Sequence, residues 1–358
     1  VTTYLLAGGG TAGHVNPLLA TADKLRETHS DAQALVLGTA EGLEARLVPQ
    51  RGYELLTVPK LPFPRRPNLA ALRFPAAWSA SVKRVEEMIR ERGVDVVVGF
   101  GGYASAPAYQ AARRTGTPLV LHEANAMPGL ANRLGARFTR YVGVAFHNTR
   151  LPHARFVGMP LRAEIETLNR HEVRVHARNA FDLDERPVLL VTGGSLGARR
   201  INRTMLAAAR AVLDAGYQVL HIQGNAHEFD DPGLPGYHLI DYCDDMHQAL
   251  AAADFVVSRA GAATVSELTA LGLPAVYVPY PVGNGEQRFN AADVVKAGGG
   301  LLVDDARFTD DWVRTQLVPL LVDEGRCMIM ADAAASVGVR DGAARLVALI
   351  DEAREGRA

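Results

Sequence analysis

Val1-Thr-Thr-Tyr-Leu-Leu-Ala-Gly-Gly-Gly-Thr-Ala-Gly-His14 and Pro187-Val-Leu-Leu-Val-Thr-Gly-Gly-Ser-Leu-Gly-Ala198 are built alike. Each is a short apolar strand running straight into a glycine-rich turn, and each turn ends where a helix is expected, over 12–25 and 198–211. A helix start presents backbone N–H groups with no intrahelical partner and a partial positive charge, so each unit is a cradle for an anion. Glycine in the turn lets a ligand come close to the backbone. The two cradles lie roughly one domain length apart. That spacing predicts two nucleotide-type folds facing each other across a cleft, rather than one dinucleotide fold with an appendage.

The intervening chain alternates in the manner of a parallel α/β sheet. Apolar strand-like runs at 5–7, 34–37, 94–98, 119–121 and 141–144 are separated by helical stretches such as 17–28 and 75–91. A second series follows at 188–191, 218–222, 238–240, 255–258, 275–278 and 300–302. A linker is expected at 157–162, ahead of a charged helical stretch over 163–182, which divides the chain into domains 1–160 and 161–358. The alanine-rich end, 331–353, reads as one or two helices, the last returning to the first domain.

Composition sets limits on partners. A chain of 358 residues, 48% hydrophobic and 22% charged, can bury two cores. Its formal net charge of −1 provides no global field for nucleic acid, so an anionic partner must be met by a local patch. Two cysteines, Cys243 and Cys327, are too few for a disulfide framework or a cysteine metal site and suit a reducing compartment. No metal-ligand cluster is visible in the sequence. No basic-then-apolar leader is read, and no apolar run approaches the ~18–20 residues that span a bilayer. A cytoplasmic or membrane-peripheral protein is expected.

Gly8-Gly-Gly-Thr-Ala-Gly13 satisfies the G-x-G-x-x-G pattern of a dinucleotide site. Such a site also needs an acid at the end of the second strand to hold a ribose. Here that strand ends Val36-Leu-Gly-Thr39, and Glu41 and Glu44 come later, in a helix by pattern. The fingerprint also has no role for His14. At a helix start, an imidazole is suited to proton transfer near neutrality, or else merely caps the helix.

Five segments carry a more specific signal: GGGTAGHVNP from Gly8, HEANAMPGLANR from His122, GMPLR from Gly158, GGSLGA from Gly193, and SRAGAATVSELTALGLPAVYVPYPVGNGEQRFNA over 258–291. In this order and spacing they resemble the bacterial MurG family, and the resemblance runs over essentially the whole chain. It implies the GT-B fold, an α/β architecture of two Rossmann-like domains with parallel sheets facing across a cleft. The N-terminal domain would take the acceptor, lipid I, and meet the membrane; the C-terminal domain would hold UDP-N-acetylglucosamine. The activity implied is inverting transfer of N-acetylglucosamine to the 4-hydroxyl of the muramyl sugar of lipid I, giving lipid II for peptidoglycan synthesis. No cofactor or metal is obligatory. The place implied is the cytoplasmic face of the cell membrane, with an anionic lipid surface and cell-wall synthesis proteins as partners. Another GT-B enzyme, such as a glycolipid or natural-product transferase or a UDP-sugar epimerase, is the nearest alternative, and a non-catalytic sugar-nucleotide sensor is the alternative from another class.

The residues make chemical sense of that resemblance. Thr11, Ala12, Gly13 and His14 form the first cradle and are expected to contact UDP-N-acetylglucosamine. Gly261 opens a helix whose Ala262, Ala263 and Thr264 offer N–H and hydroxyl donors to a diphosphate. Glu267 matches the family's ribose-binding glutamate, although Thr264-x-x-Glu267 also reads as a capping box. Where the family usually has two glutamines this chain has Glu286 and Gln287. Gln287 is therefore the expected ligand of the sugar hydroxyls, since an amide donates and accepts at once, and Asn290 either joins it or holds the loop. Ser195, with the N–H groups of 194–197, and Arg162 are expected at the phosphates; a hinge ion pair is the alternative for Arg162. Cys243 falls in the segment whose backbone reads uracil in the family, which explains why a cysteine is tolerated there. Asn125 matches a family residue near the transferred sugar. His14 is the expected base and Glu123 the second candidate. Gly101, Gly102 and Tyr103 are expected at the acceptor diphosphate, or else form a plain strand–helix turn. Phe63, Leu72, Phe74 and Trp78 among Arg65, Arg66 and Arg73 suit an anionic membrane, though a buried loop could contain the same residues.

Overall fold

A computed structural model of the chain describes residues 1–64, 69–194, 197–225, 229–282 and 284–356. The chain divides into two units, Val1–Arg162 with Asp341–Ala358, and Ala163–Arg340.

The first unit is a seven-stranded sheet of β1 (Thr2–Ala7), β2 (Ala32–Gly38), β3 (Glu54–Thr57), β4 (Val96–Gly99), β5 (Leu119–Glu123), β6 (Tyr141–Val144) and β7 (Ala154–Phe156), in the order β3-β2-β1-β4-β5-β6-β7. Every pairing is parallel. Strands buried on both faces have to be apolar almost throughout, and β1 and β4 are. Leu5 and Val97, paired in register, enter one core, while Tyr4, Leu6, Val96 and Val98 enter the other. The edge strands β3 and β7, ELLT and ARF, have half-exposed or exposed side chains. An edge strand needs no apolar run, so neither was visible in the sequence.

The second unit repeats the plan with β8 (Val188–Thr192), β9 (Gln218–Ile222), β10 (Tyr237–Ile240), β11 (Phe255–Ser258), β12 (Ala275–Tyr277) and β13 (Gly300–Leu302), again all parallel, in the order β10-β9-β8-β11-β12-β13. In both sheets the chain runs outward from the first strand through the next two, then returns to the first strand's other side. The strand order therefore reverses between β1 and β4, and between β8 and β11. The carboxyl ends at such a reversal form a crevice where α/β folds bind ligands, and all the glycine turns picked out above lie at those ends.

One helix departs from expectation. The helix expected over 198–211 is two, Arg199–Ala207 and Ala209–Asp214, because Ala208 leaves helical geometry at φ −97°, ψ 3°. The final helix, Gly342–Glu355, packs on the first sheet, placing Leu346, Val347, Leu349 and Ile350 in a core with Tyr4 and Leu6. Arg155 pairs with Glu352, and His29 with Asp351 at 3.1 Å. Among the described residues, no helix is long and apolar enough to cross a membrane, and no group of acids, histidines and cysteines could hold a metal ion.

Candidate active site

In the first unit, three adjacent strand ends build one rim. β1 ends at Ala7 and opens into Gly8–Gly13, with Thr11 as the N-cap of the helix Ala12–Thr28. That N-cap makes no side-chain capping bond. Thr11 Oγ1 instead lies 3.2 Å from His14 Nδ1. The tautomer that donates Nδ1–H to Thr11 is the one that keeps the lone pair on Nε2, as a general base requires. β4 ends at Gly99, and the turn that follows carries Gly101 and Gly102 at φ +87° and +91°. A Cβ on Gly102 would lie 2.5 Å from the Gly9 carbonyl oxygen, and one on Gly101 would lie 3.3 Å from His14 Nε2. The second turn thus stacks backbone on backbone against the first, and glycine is required there by contact as well as by φ. Tyr103 is exposed, with Lys60 Nζ 5.4 Å from its ring centroid.

β5 brings His122 and Glu123 to the same rim, both buried. Glu123 accepts from Asn125 N–H at 2.9 Å, Gly129 N–H at 3.0 Å and Asn132 Nδ2 at 2.9 Å. Burial pushes its pKa up, against the pull of these donors. A carboxylate enclosed this way organises the loop 124–132. A chain of bonds ties this loop to the glycine turns: Gly101 N–H donates to Tyr109 Oη at 3.2 Å, and Tyr109 O–H donates to Asn132 Oδ1 at 2.6 Å. His122 Nε2 lies 2.9 Å from the Gly158 carbonyl, and burial lowers its pKa to about 4, so it stays neutral. Asn125 is half-exposed.

In the second unit, the helix Ala262–Ala270 follows β11. Its N-cap is Gly261, with no side-chain bond to the first turn. The N–H groups of Ala262, Ala263 and Thr264 have no intrahelical acceptor. Thr264 lies inside the helix, so the capping-box reading fails. Glu267 is half-buried one turn beyond it. After β12, Gln287 Oε1 accepts from Tyr280 N–H at 2.9 Å. That bond settles which end of the amide is oxygen. Asn290 is buried, and its Nδ2 donates to the Ala260 carbonyl at 3.2 Å. That bond joins the loop to the turn after β11. Asp241–Cys243 follows β10 and is pinned by Gln223 Nε2, which donates to Asp241 Oδ1 at 2.8 Å. The Cys243 thiol, pushed up to about 11 by burial and the neighbouring Asp245, is unreactive at neutral pH.

After β8, Gly197 N–H donates to the Gly194 carbonyl at 2.9 Å, closing the second glycine turn. The helix Arg199–Ala207 then begins with no side-chain cap. Ser195 lies outside the described residues. Arg162 closes the first unit, half-buried. The sequence did not announce a further bracket between these loops. Arg259 Nη1 donates to the Val278 and Pro279 carbonyls, each at 3.1 Å, and to Asp305 Oδ1 at 2.6 Å, while Arg200 Nε donates to Asp305 Oδ2 at 2.8 Å.

A third feature belongs to the first unit. Phe63, Phe74 and Trp78 form a triangle with ring centroids 5.5, 5.6 and 5.8 Å apart. Leu72, on the same helix as Phe74 and Trp78, is 78% exposed, and Arg73 is exposed. Trp78 packs in part against the first core, so it anchors the patch from within. Arg65 and Arg66 lie outside the described residues.

The chain matches the glycosyltransferase family 28 N-terminal domain over residues 4–144 and the corresponding C-terminal domain over 188–346. It is 68% identical over 351 residues to the UDP-N-acetylglucosamine--N-acetylmuramyl-(pentapeptide) pyrophosphoryl-undecaprenol N-acetylglucosamine transferase of Leifsonia xyli, covering 98% of each chain. The chain belongs to the MurG family. A Clavibacter sepedonicus member, named as the same transferase, is 62% identical over all of this chain and 98% of its own. The crystal structure of Acinetobacter baumannii MurG superposes with a TM-score of 0.80 at 26% identity, covering 98% of this chain and 100% of that one. The paired α/β sheets are thus those of a MurG-type GT-B glycosyltransferase.

Proposed function

We propose that this protein transfers N-acetylglucosamine from its UDP carrier to the 4-hydroxyl of the muramyl sugar of lipid I, making lipid II. The observation that carries this reading is the 68% identity, end to end, with a transferase so named. The muramyl 4-hydroxyl attacks the anomeric carbon, the bond from that carbon to the UDP oxygen breaks, and the configuration inverts to a β-1,4 link. The hydroxyl proton goes to His14. The charge gathering on UDP is met by the N–H groups of Ala262, Ala263 and Thr264, by the turn at Gly194–Gly197, and by Arg162. One preorganised donor of this kind is worth about 3–4 kcal/mol in other enzymes. Glu267 holds the ribose, the backbone beside Cys243 reads uracil, and Gln287 binds the sugar hydroxyls. Thr11, Ala12 and Gly13 line the cradle beside His14, Asn125 stands near the transferred sugar, and Gly101, Gly102 and Tyr103 receive the acceptor diphosphate. Acceptor binding is assigned to the first unit and donor binding mainly to the second. UDP release should depend on the acceptor; steady UDP formation, or isomerisation of the sugar, with no acceptor present would overturn this reading.

The patch around Phe63, Leu72 and Phe74 is the membrane contact of this reading, placing the enzyme as a peripheral protein on the cytoplasmic face. Each basic residue at an anionic surface adds about 1 kcal/mol. Binding to vesicles should therefore rise with anionic lipid and weaken with salt. Leu72→Ser with Phe74→Ser should weaken vesicle binding by roughly tenfold or more per side chain while sparing activity on a soluble short-chain acceptor. Trp78 is left alone because it also packs in the core. Vesicle sedimentation equal to that of the parent would move the contact elsewhere.

A further inference from the structure

Glu44 plays no part in any role described so far, yet its carboxylate lies beneath the first glycine turn. It is the first residue of the short helix Glu44–Gln50 and is fully buried. Oε2 accepts from Gly10 N–H at 2.8 Å, and Oε1 accepts from both Thr39 N–H and Thr39 Oγ1–H at 2.8 Å. Burial alone would raise its pKa, but the bonds from Gly10, from its own N–H and from Thr39 outweigh that and lower it. The ionised form is thus the resident one. The fit is close: a Cβ on Gly9 would lie 2.3 Å from Oε1, one on Gly42 2.2 Å from Oε2, and one on Gly38 2.5 Å from Cγ. A glycine turn followed by a helix is shaped to hold an anion, and here a side chain of the chain itself supplies one at Gly10.

We propose that Glu44 is a positioning residue for transfer: a built-in anion that holds the Gly8–Gly13 turn in shape from below and, through it, the Gly101–Gly102 turn and His14. The relay is short, because Gly102 packs on the Gly9 carbonyl and Gly101 lies against His14 Nε2. Since Gly10 N–H is already taken by a carboxylate, a substrate meets this turn from the Thr11–His14 side. The Gly10 position itself is closed to a phosphate. This inference rests on the functional reading above, and it predicts little effect on the affinity for UDP itself, since the residues assigned to uracil, ribose and diphosphate belong, Arg162 apart, to the second unit.

The test compares the full-length parent with Glu44→Gln, which keeps the size of the side chain but turns an NH₂ toward one of the three donors. In the parent, the Gly10 amide should resist hydrogen exchange although Gly10 is exposed to solvent; in Glu44→Gln that protection should be lost. Acceptor kcat/KM should fall by roughly ten- to a hundredfold, with UDP affinity by calorimetry within about twofold of the parent. Thr39→Val, which removes one of the three bonds and keeps the shape, should shift the same acceptor parameter in the same direction by less. It decides the matter if Glu44→Gln does not fold. Unchanged exchange and kinetics would overturn the proposal, as would losses shared equally between UDP affinity and acceptor turnover. A parent that fails to transfer at all would instead overturn the functional reading, while the exchange comparison would still report on the turn.

Discussion

His14→Ala is expected to lower turnover by about 10²–10⁴ while leaving UDP affinity, measured by calorimetry, close to that of the parent. The imidazole stands at the start of the helix Ala12–Thr28, with Nδ1 facing Thr11 Oγ1 and Nε2 over the Gly101 turn. A lost base slows the chemical step without removing the groups that hold the donor. A fall in UDP affinity as large as the fall in turnover would make His14 a cradle residue and not the base. Glu123→Gln provides the contrast. Its carboxylate is enclosed by three N–H donors from its own loop, so substitution should disturb that loop and the thermal midpoint, with the base-dependent limb of the pH–rate profile retained.

Glu267→Ala is expected to raise the donor KM by roughly ten- to a hundredfold, the loss of about 1–3 kcal/mol that follows when a buried polar pair is broken. Glu267 is half-buried on a helix whose first turn carries no side-chain cap, so its removal leaves the helix start intact. The thermal midpoint should therefore move little, and acceptor KM less than donor KM. Donor kinetics identical to those of the parent would remove Glu267 from the site.

What could be read from the sequence follows from burial. The inner strands were legible because both of their faces are covered, which makes them runs of Val, Leu and Ala. β3 and β7 were not, because edge strands with exposed side chains carry no such run. The glycine turns stood out because only glycine tolerates the positive φ at Gly101 and Gly102 and the contact between Gly102 and Gly9. Which groups the polar side chains of the second unit touch within the protein was not legible either. Asn290 proved to hold the Ala260 carbonyl. Gln287 proved to be oriented by Tyr280 N–H, and Gly261, not Thr264, proved to be the helix cap. Glu44 illustrates the limit best. Its place after the second strand argued against a ribose-binding acid, but nothing local in the sequence revealed that its carboxylate turns back 34 residues to Gly10.

Incubation of the enzyme with radiolabelled UDP-N-acetylglucosamine and a short-chain lipid I analogue, followed by chromatography and linkage analysis, tests the central claim most directly. One labelled disaccharide product with a β-1,4 bond, formed in equal amount with UDP and only when the acceptor is present, is the predicted result. Label that stays on the nucleotide sugar, appears as an isomer of it, or reaches water instead of the muramyl 4-hydroxyl would contradict the account.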